Sequence, residues 1–264
     1  MKFSASLLFI LLTTGIFYGF CGNVEGILSS NPNQKIRLFI YDRLECIEVS
    51  SSLTDRRGHF HLSYPEGYQG MGYLEISDKG TLDLVLDNSD IRLVGDDISK
   101  VDKVKFRNSR ENRLYYQFLA DHKKRDDYLL DLHQRSLQKL QNKNLGTKKN
   151  NLSDQIRKSV REELESVYSL HKRYYISWYI PAIRFIHDMS VQANYNPAFI
   201  SFLIEDFRRW NFADKRLINS GICSNLIESH ICLINILYKT NQSELNYQAN
   251  LSLKYIEKML KRND

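Results

Sequence analysis

The sequence is poor in the residues that usually announce a chemistry. Its 264 residues include 4 Cys, 4 Pro, 12 Gly and 2 Trp. So few cysteines exclude a disulfide-dense scaffold, and so little Gly and Pro excludes a collagen-like or low-complexity chain. There is no Cys-x-x-Cys, no His-Glu-x-x-His, no Gly-x-Ser-x-Gly, no phosphate loop and no Gly-x-Gly-x-x-Gly. Dithiol redox, zincin, hydrolase-elbow, phosphate-loop and dinucleotide chemistries therefore have no support in the sequence. What is present is apolar bulk: 42% hydrophobic residues and 12% aromatics, with 16 Tyr and 13 Phe, enough to build a core in one large or two smaller domains.

The N-terminus carries an address. Met1-Lys2 precedes an apolar stretch from Leu7 to Phe20, interrupted by Thr13, Thr14, Gly15 and Gly19. It is too short and broken for a comfortable membrane span, and it reads as a signal peptide over residues 1–21. Gly19-Phe20-Cys21 offers a cleavage site before Gly22. Alternatively, Cys21 is the lipidated first residue of a lipoprotein, which would anchor the chain to a membrane. A buried N-terminal helix is the third reading. The expected location is outside the cytoplasm, in the periplasm or at the outer membrane.

From about residue 23 to 108 the apolar pattern has period two. Ile36, Leu38 and Ile40 alternate with Arg37, Phe39 and Tyr41; Leu82, Leu84 and Leu86 alternate with Asp83, Val85 and Asp87; Ile91 and Leu93 flank Arg92. Turn signals such as Asn31-Pro32-Asn33, Asp55-Arg56-Arg57-Gly58, Pro65-Glu66-Gly67 and Asp78-Lys79-Gly80 recur about every ten residues. The expectation is about eight strands in an antiparallel β-sandwich-like domain. After Ser109, a candidate helix cap, the period becomes helical. A first helix carries Leu114, Phe118 and Leu119, and the polar Asp121 to Asp127 either breaks or exposes it. Asn142 to Asn151 reads as a solvated connection. Ser153 then starts a helix with Ile156, Val160, Leu164, Val167, Tyr174 and Trp178 on one stripe, which Pro181 should kink or end. Further helices are expected after Asn196-Pro197, after Gly221 and after a Ser243 cap. The fold class is α+β: strands over 23–108, then an α-helical domain over 109–264.

Candidate sites are few. Cys223 and Cys232, nine residues apart on one helix, fall on opposite faces and cannot bridge. Cys46 lies in strand context, and three cysteines after cleavage leave at least one unpaired; either the thiols are buried and inert, or Cys46 makes a thiol contact with the helical part or with a partner. His59 and His61 share one face of a strand, opposite Phe60 and Leu62, and are either a pair of metal ligands or exposed polar positions. The segment Arg107 to Arg173 holds 16 Lys+Arg against 9 Asp+Glu, more than the whole chain's net charge of +6. Its interleaved acids favour solvated helices or an anionic envelope surface over nucleic acid. Tyr174, Tyr175, Trp178 and Tyr179, with Phe185, form an aromatic cluster that reads as core or a protein interface rather than a ligand box. No catalytic residue, metal or cofactor is expected.

Several of these pieces together resemble a known family. The strand Lys35 to Asp42, the turn Asp55-x-x-Gly58-x-Phe60-x-Leu62, the strand Asp90-Ile-Arg-Leu-Val-Gly95-Asp96, the helix start Asn108-Ser109-x-x-Asn112 and the stretch Trp210 to Ile218 resemble the N-terminal region of Bacteroidota TlpA-like envelope proteins of the thioredoxin family. In that family a β domain and a helical segment precede a thioredoxin-fold domain that carries Cys-x-x-Cys. No Trp-Cys-x-x-Cys, βαβ pattern or cis-Pro strand occurs before Asp264, so no catalytic residue is carried over. The resemblance implies an accessory region on its own, whether a paralogue, one half of a split gene or a truncated frame. It would be a non-catalytic envelope module whose partner, if any, is a thioredoxin-fold protein in trans. The alternative is direct thiol-disulfide exchange through a single cysteine.

Overall fold

The computed structural model describes residues 20–141, 172–195 and 200–260, with isolated positions between 158 and 170. The expected signal segment up to residue 19, the connection over 142–151, the start at Ser153 and the Asn196-Pro197 helix start lie outside the described residues.

The period-two segments form two four-stranded sheets. β1 (Phe20–Leu28), β4 (His59–Pro65), β7 (Ile91–Gly95) and β8 (Lys105–Phe106) form one, in the order β4-β1-β7-β8. β2 (Lys35–Asp42), β3 (Glu45–Leu53), β5 (Gln69–Ile76) and β6 (Gly80–Asp87) form the other, in the order β3-β2-β5-β6. Alternation works as expected: Val24, Leu28, Phe60, Leu62, Ile91 and Leu93 from the first sheet meet Ile36, Leu38, Ile40, Leu74, Leu82, Leu84 and Leu86 from the second in a closed core. One pairing departs from the antiparallel expectation: β1 and β7 run parallel, with Val24 opposite Ile91 and Leu28 opposite Gly95. The two strands are far apart in the chain, so no hairpin dictates their direction. The Asp55 turn is held by its own side chain, whose Oδ1 accepts the N–H groups of Arg57 (2.7 Å) and His59 (2.8 Å). Gly58 there has φ +80°, and a Cβ would come within 2.1 Å of the Leu28 carbonyl oxygen.

Among the described residues six helices follow: α1 (Arg110–Gln141), α2 (Ile176–Tyr195), α3 (Ile200–Phe207), α4 (Lys215–Ile218), α5 (Cys223–Tyr238) and α6 (Gln242–Leu260). α1 is continuous through Asp121 to Asp127, because local pairs support the charged stretch: His122 with Asp126 at 3.1 Å and Lys124 with Asp121 at 3.4 Å. Tyr174 and Trp178 do not share a helix. Residues 172–175 turn, and α2 begins at Ile176, whose N–H donates to Glu111 Oε2 (3.1 Å) on α1. Pro181 does not end the helix but lies inside it, as its sixth residue, and the helix continues to Tyr195. At α6 the capping side chain is Asn241, whose Oδ1 accepts the Glu244 N–H (3.2 Å), rather than Ser243. Among the described residues no helix is long and apolar enough to cross a membrane.

The helices dock on the outer face of the second sheet. Val85 and Met71 there belong to the same buried cluster as Tyr115, Ile176, Tyr179, Phe207 and Leu226. Polar contacts hold the register. Ser109 caps α1, its Oγ accepting the Asn112 N–H (3.3 Å). The buried Asn112 amide then pairs with the open edge of β6: Val85 N–H donates to Oδ1 (2.9 Å), and Nδ2 donates to the Val85 carbonyl (2.8 Å). Asn108 repeats the device on the other sheet, accepting the Arg92 N–H (2.7 Å) and donating to the Asp90 carbonyl (2.7 Å).

Burial separates the two asparagines energetically. Asn112→Ala strands a donor and an acceptor away from water and is expected to cost about 2 to 4 kcal/mol. Asn108→Ala, in solvent, should cost less than about 1 kcal/mol because water replaces the amide. Urea unfolding of both variants checks this; equal losses would refute the joint's importance.

Candidate functional site

The exposed part of the second sheet's outer face lies beside the covered row. Phe39 and Tyr73, cross-strand neighbours on β2 and β5, stack at 4.9 Å. Arg37 lies over Phe39 at 5.4 Å and bonds Glu75 at 2.8 Å. Cys46, exposed on β3, donates its thiol hydrogen to the Tyr73 hydroxyl at 3.2 Å. Loss of solvation and this hydrogen bond push the Tyr73 phenol upward, and loss of solvation with the nearby Asp83 and Cys46 raises Tyr41 to about 12. The partner of Cys46 is therefore a neutral phenol, not the cation or imidazole that generates a thiolate. Asp83, one side of which meets solvent, is raised by desolvation against α1, where the Tyr116 hydroxyl donates to its carbonyl (2.8 Å).

A second site forms where the loop between α3 and α4 closes over the first turn of α2. Trp178, Asp206, Arg209, Trp210, Asn211 and Asp214 line a cleft of about 260 Å³. The indoles meet edge to face, 6.3 Å apart at 75°. Asp206 pairs with Arg209 (3.0 Å) and Asp214 with Arg216 (2.7 Å), whose guanidinium lies over Trp178 at 5.3 Å. Burial opposes charge on Asp214, but the Arg216 hydrogen bonds outweigh it and leave the carboxyl below its ordinary range. Asp214 also caps α4, and Asn211 Oδ1 accepts the Ala213 N–H (3.1 Å). From α6 the Tyr255 hydroxyl bridges the carbonyls of Arg208 (2.7 Å) and Trp210 (2.9 Å), fixing the loop.

Of the expected aromatic interface, Tyr175 and Tyr179 are core residues, 2% and 8% exposed. Tyr175 stacks on Tyr179 and donates to the Arg216 carbonyl (2.9 Å), so neither is available to a partner. Tyr174, beneath the guanidiniums of Arg110 and Arg173, and Trp178 remain half-buried. Cys21 lies in the backbone of β1, where the register to β4 shifts between Phe20 and Gly22. Cys223 is buried and its thiol is pushed up to about 11, whereas Cys232 is exposed in an apolar groove along α5. His59 and His61 each face a carboxylate of their own, Asp55 at 2.9 Å and Glu25 at 3.9 Å. Among the described residues no three His, Cys, Asp or Glu side chains converge as metal ligands. The sequence reading missed Trp210, Asp206 and Asp214 as a site. The available signal was that Trp210 is one of only two tryptophans in the chain.

No protein-family model matches this chain, and no curated protein matches it significantly.

One buried ionisable group tests the helical core. His230 on α5 stacks on Phe207 at 3.6 Å and contacts Ser252 Oγ at 2.8 Å. Burial, with a smaller contribution from Arg208, lowers its pKa from 6.5 to about 4. A depressed folded-state pKa means that stability is full above pH ~6.5 and is lost as pH falls toward 4, by up to about 3 kcal/mol. Urea unfolding across that window should fall more steeply for the native protein than for His230→Phe; parallel curves would refute the buried neutral imidazole.

Proposed function

We propose that the protein is a non-catalytic binding or accessory module of the cell envelope, exported by its N-terminal segment and similar in role to the β-plus-helix region of TlpA-like proteins. The observation that carries this reading is the Asn112–Val85 joint. Two of the positions that support the resemblance, Asn108 and Asn112, are spent on backbone hydrogen bonds that hold helices to sheets. Residues with that job build a platform rather than a reaction centre. A thioredoxin-fold partner in trans would meet the open face of the second sheet, where, among the described residues, β3 pairs on one side only and presents Cys46 beside the Phe39–Tyr73 stack. Main-chain pairing along such an edge supplies affinity, and side chains supply selectivity.

The second reading, direct thiol-disulfide exchange, is favoured by the exposure of Cys46 alone. The two separate in a trapping experiment with a thioredoxin-fold oxidoreductase whose resolving cysteine is replaced by serine. The accessory role predicts non-covalent capture that survives Cys46→Ser, with no mixed disulfide. A mixed disulfide lost in Cys46→Ser and kept in Cys232→Ser would establish exchange instead, and no capture of either kind would overturn both. Mass spectrometry of the exported protein should find an N-terminus at Gly22 or a lipidated Cys21; an intact Met1 would refute export.

A further inference from the structure

We propose that the Trp178/Trp210 cleft binds a neutral, polyhydroxylated ring: one unit of a saccharide. Its volume of about 260 Å³ lies just below the roughly 300 to 1,000 Å³ of sites for drug-sized ligands, which suits a single ring. The walls combine the two surfaces that such a ring presents. Its C–H faces need a flat apolar partner, and both indoles line the cleft. Its hydroxyls need donors and acceptors at fixed spacing, supplied by planar side chains. Arg209 bonds one oxygen of Asp206, and a carboxylate has about four lone-pair sites. Asn211 uses its oxygen on the Ala213 N–H, which leaves its amide hydrogens as donors.

Charge selects the ligand class. Asp206 with Arg209 and Asp214 with Arg216 cancel formally, so the walls hold no uncompensated charge that would draw an ion. A quaternary ammonium would meet the like charge of the Arg216 guanidinium, which lies over Trp178 at 5.3 Å, whereas a neutral ring would not. An anion would meet two carboxylates. The cleft is also built rather than incidental. Tyr255 anchors the loop backbone, and the Asp214 cap together with Arg216 holds its far end.

Both tryptophans of the protein line the cleft, so the intrinsic emission of the full chain reports on it directly. The test is titration with glucose, galactose, N-acetylglucosamine, cellobiose and lactose, beside choline and acetate as charged controls. Saturable emission change is expected for at least one neutral sugar, at a dissociation constant on the order of 1 mM. Asp206→Asn and Trp210→Phe should each weaken it at least about tenfold, while the unfolding midpoint shows that the fold is kept. If either variant unfolds, Trp178→Phe with calorimetric titration takes its place. No saturation by any sugar up to about 50 mM, a response to choline or acetate alone, or unchanged affinity in variants that fold would each overturn the assignment. None of these outcomes bears on capture of a thioredoxin-fold partner, so the two proposals fail independently.

Discussion

The structure depends on one row of backbone groups at the end of the second sheet. Tyr41, Met71 and Val85 lie there side by side, where β2 and β5 part and, among the described residues, β6 has no further strand beyond it. Each buried N–H or C=O left unpaired would cost roughly 1 to 3 kcal/mol. Three polar groups fill the gaps. The Tyr68 hydroxyl meets the Tyr41 N–H (3.1 Å) and the carbonyls of Tyr41 (3.0 Å) and Met71 (2.7 Å). The Asn219 carbonyl accepts the Met71 N–H (2.8 Å), and the Asn112 amide closes Val85. Two of the three come from the helical part, so the helices complete the sheet rather than merely resting on it.

That constraint propagates to the cleft. Because Asn112 pins the first turn of α1, its neighbour Glu111 is held where its carboxylate caps α2. Burial of Glu111 raises its carboxyl, and the backbone N–H groups of Ile176 and Tyr175 partly offset the rise. The start of α2 then fixes Trp178, and through it one wall of the cleft. An aromatic series spans the same path: Phe106, Tyr116, Tyr115, Tyr179, Tyr175, Trp178 and Trp210 lie 5.3 to 6.3 Å apart in succession. Such pairs contribute beyond their buried area, so sandwich and cleft are joined by rigid contacts.

Much of the architecture was legible because alternation reports a buried face directly. Leu82, Leu84 and Leu86 are core for the reason the pattern suggests, and Cys223 and Cys232 do fall on opposite faces, one buried and one exposed. What was illegible depends on partners distant in the chain. The parallel β1–β7 pair has no local signal, and α2 is started by a carboxylate 65 residues upstream. Tyrosine is ambiguous by nature: Tyr175 and Tyr179 bury their rings, while Tyr174, on the same stretch, does not. The cleft was invisible for a related reason, since its tryptophans are 32 positions apart and only the tertiary fold crosses them.

The motif positions and the candidate sites therefore answer to different constraints. Asp55, Gly58, Asn108, Ser109 and Asn112 are specified by backbone geometry: an Asx-type turn, a positive φ, two amide-to-strand pairings and a cap. Any chain with this sandwich-to-helix joint needs side chains that do the same, whatever it binds. The side chains of Trp178, Trp210 and Cys46 satisfy no such backbone demand: the two indoles pack at the edge of the helical core, and Cys46 bonds Tyr73 at the surface. A likeness confined to the first group argues for shared architecture. What this protein recognises has to be read from the second, where surface chemistry rather than chain geometry decides the residue.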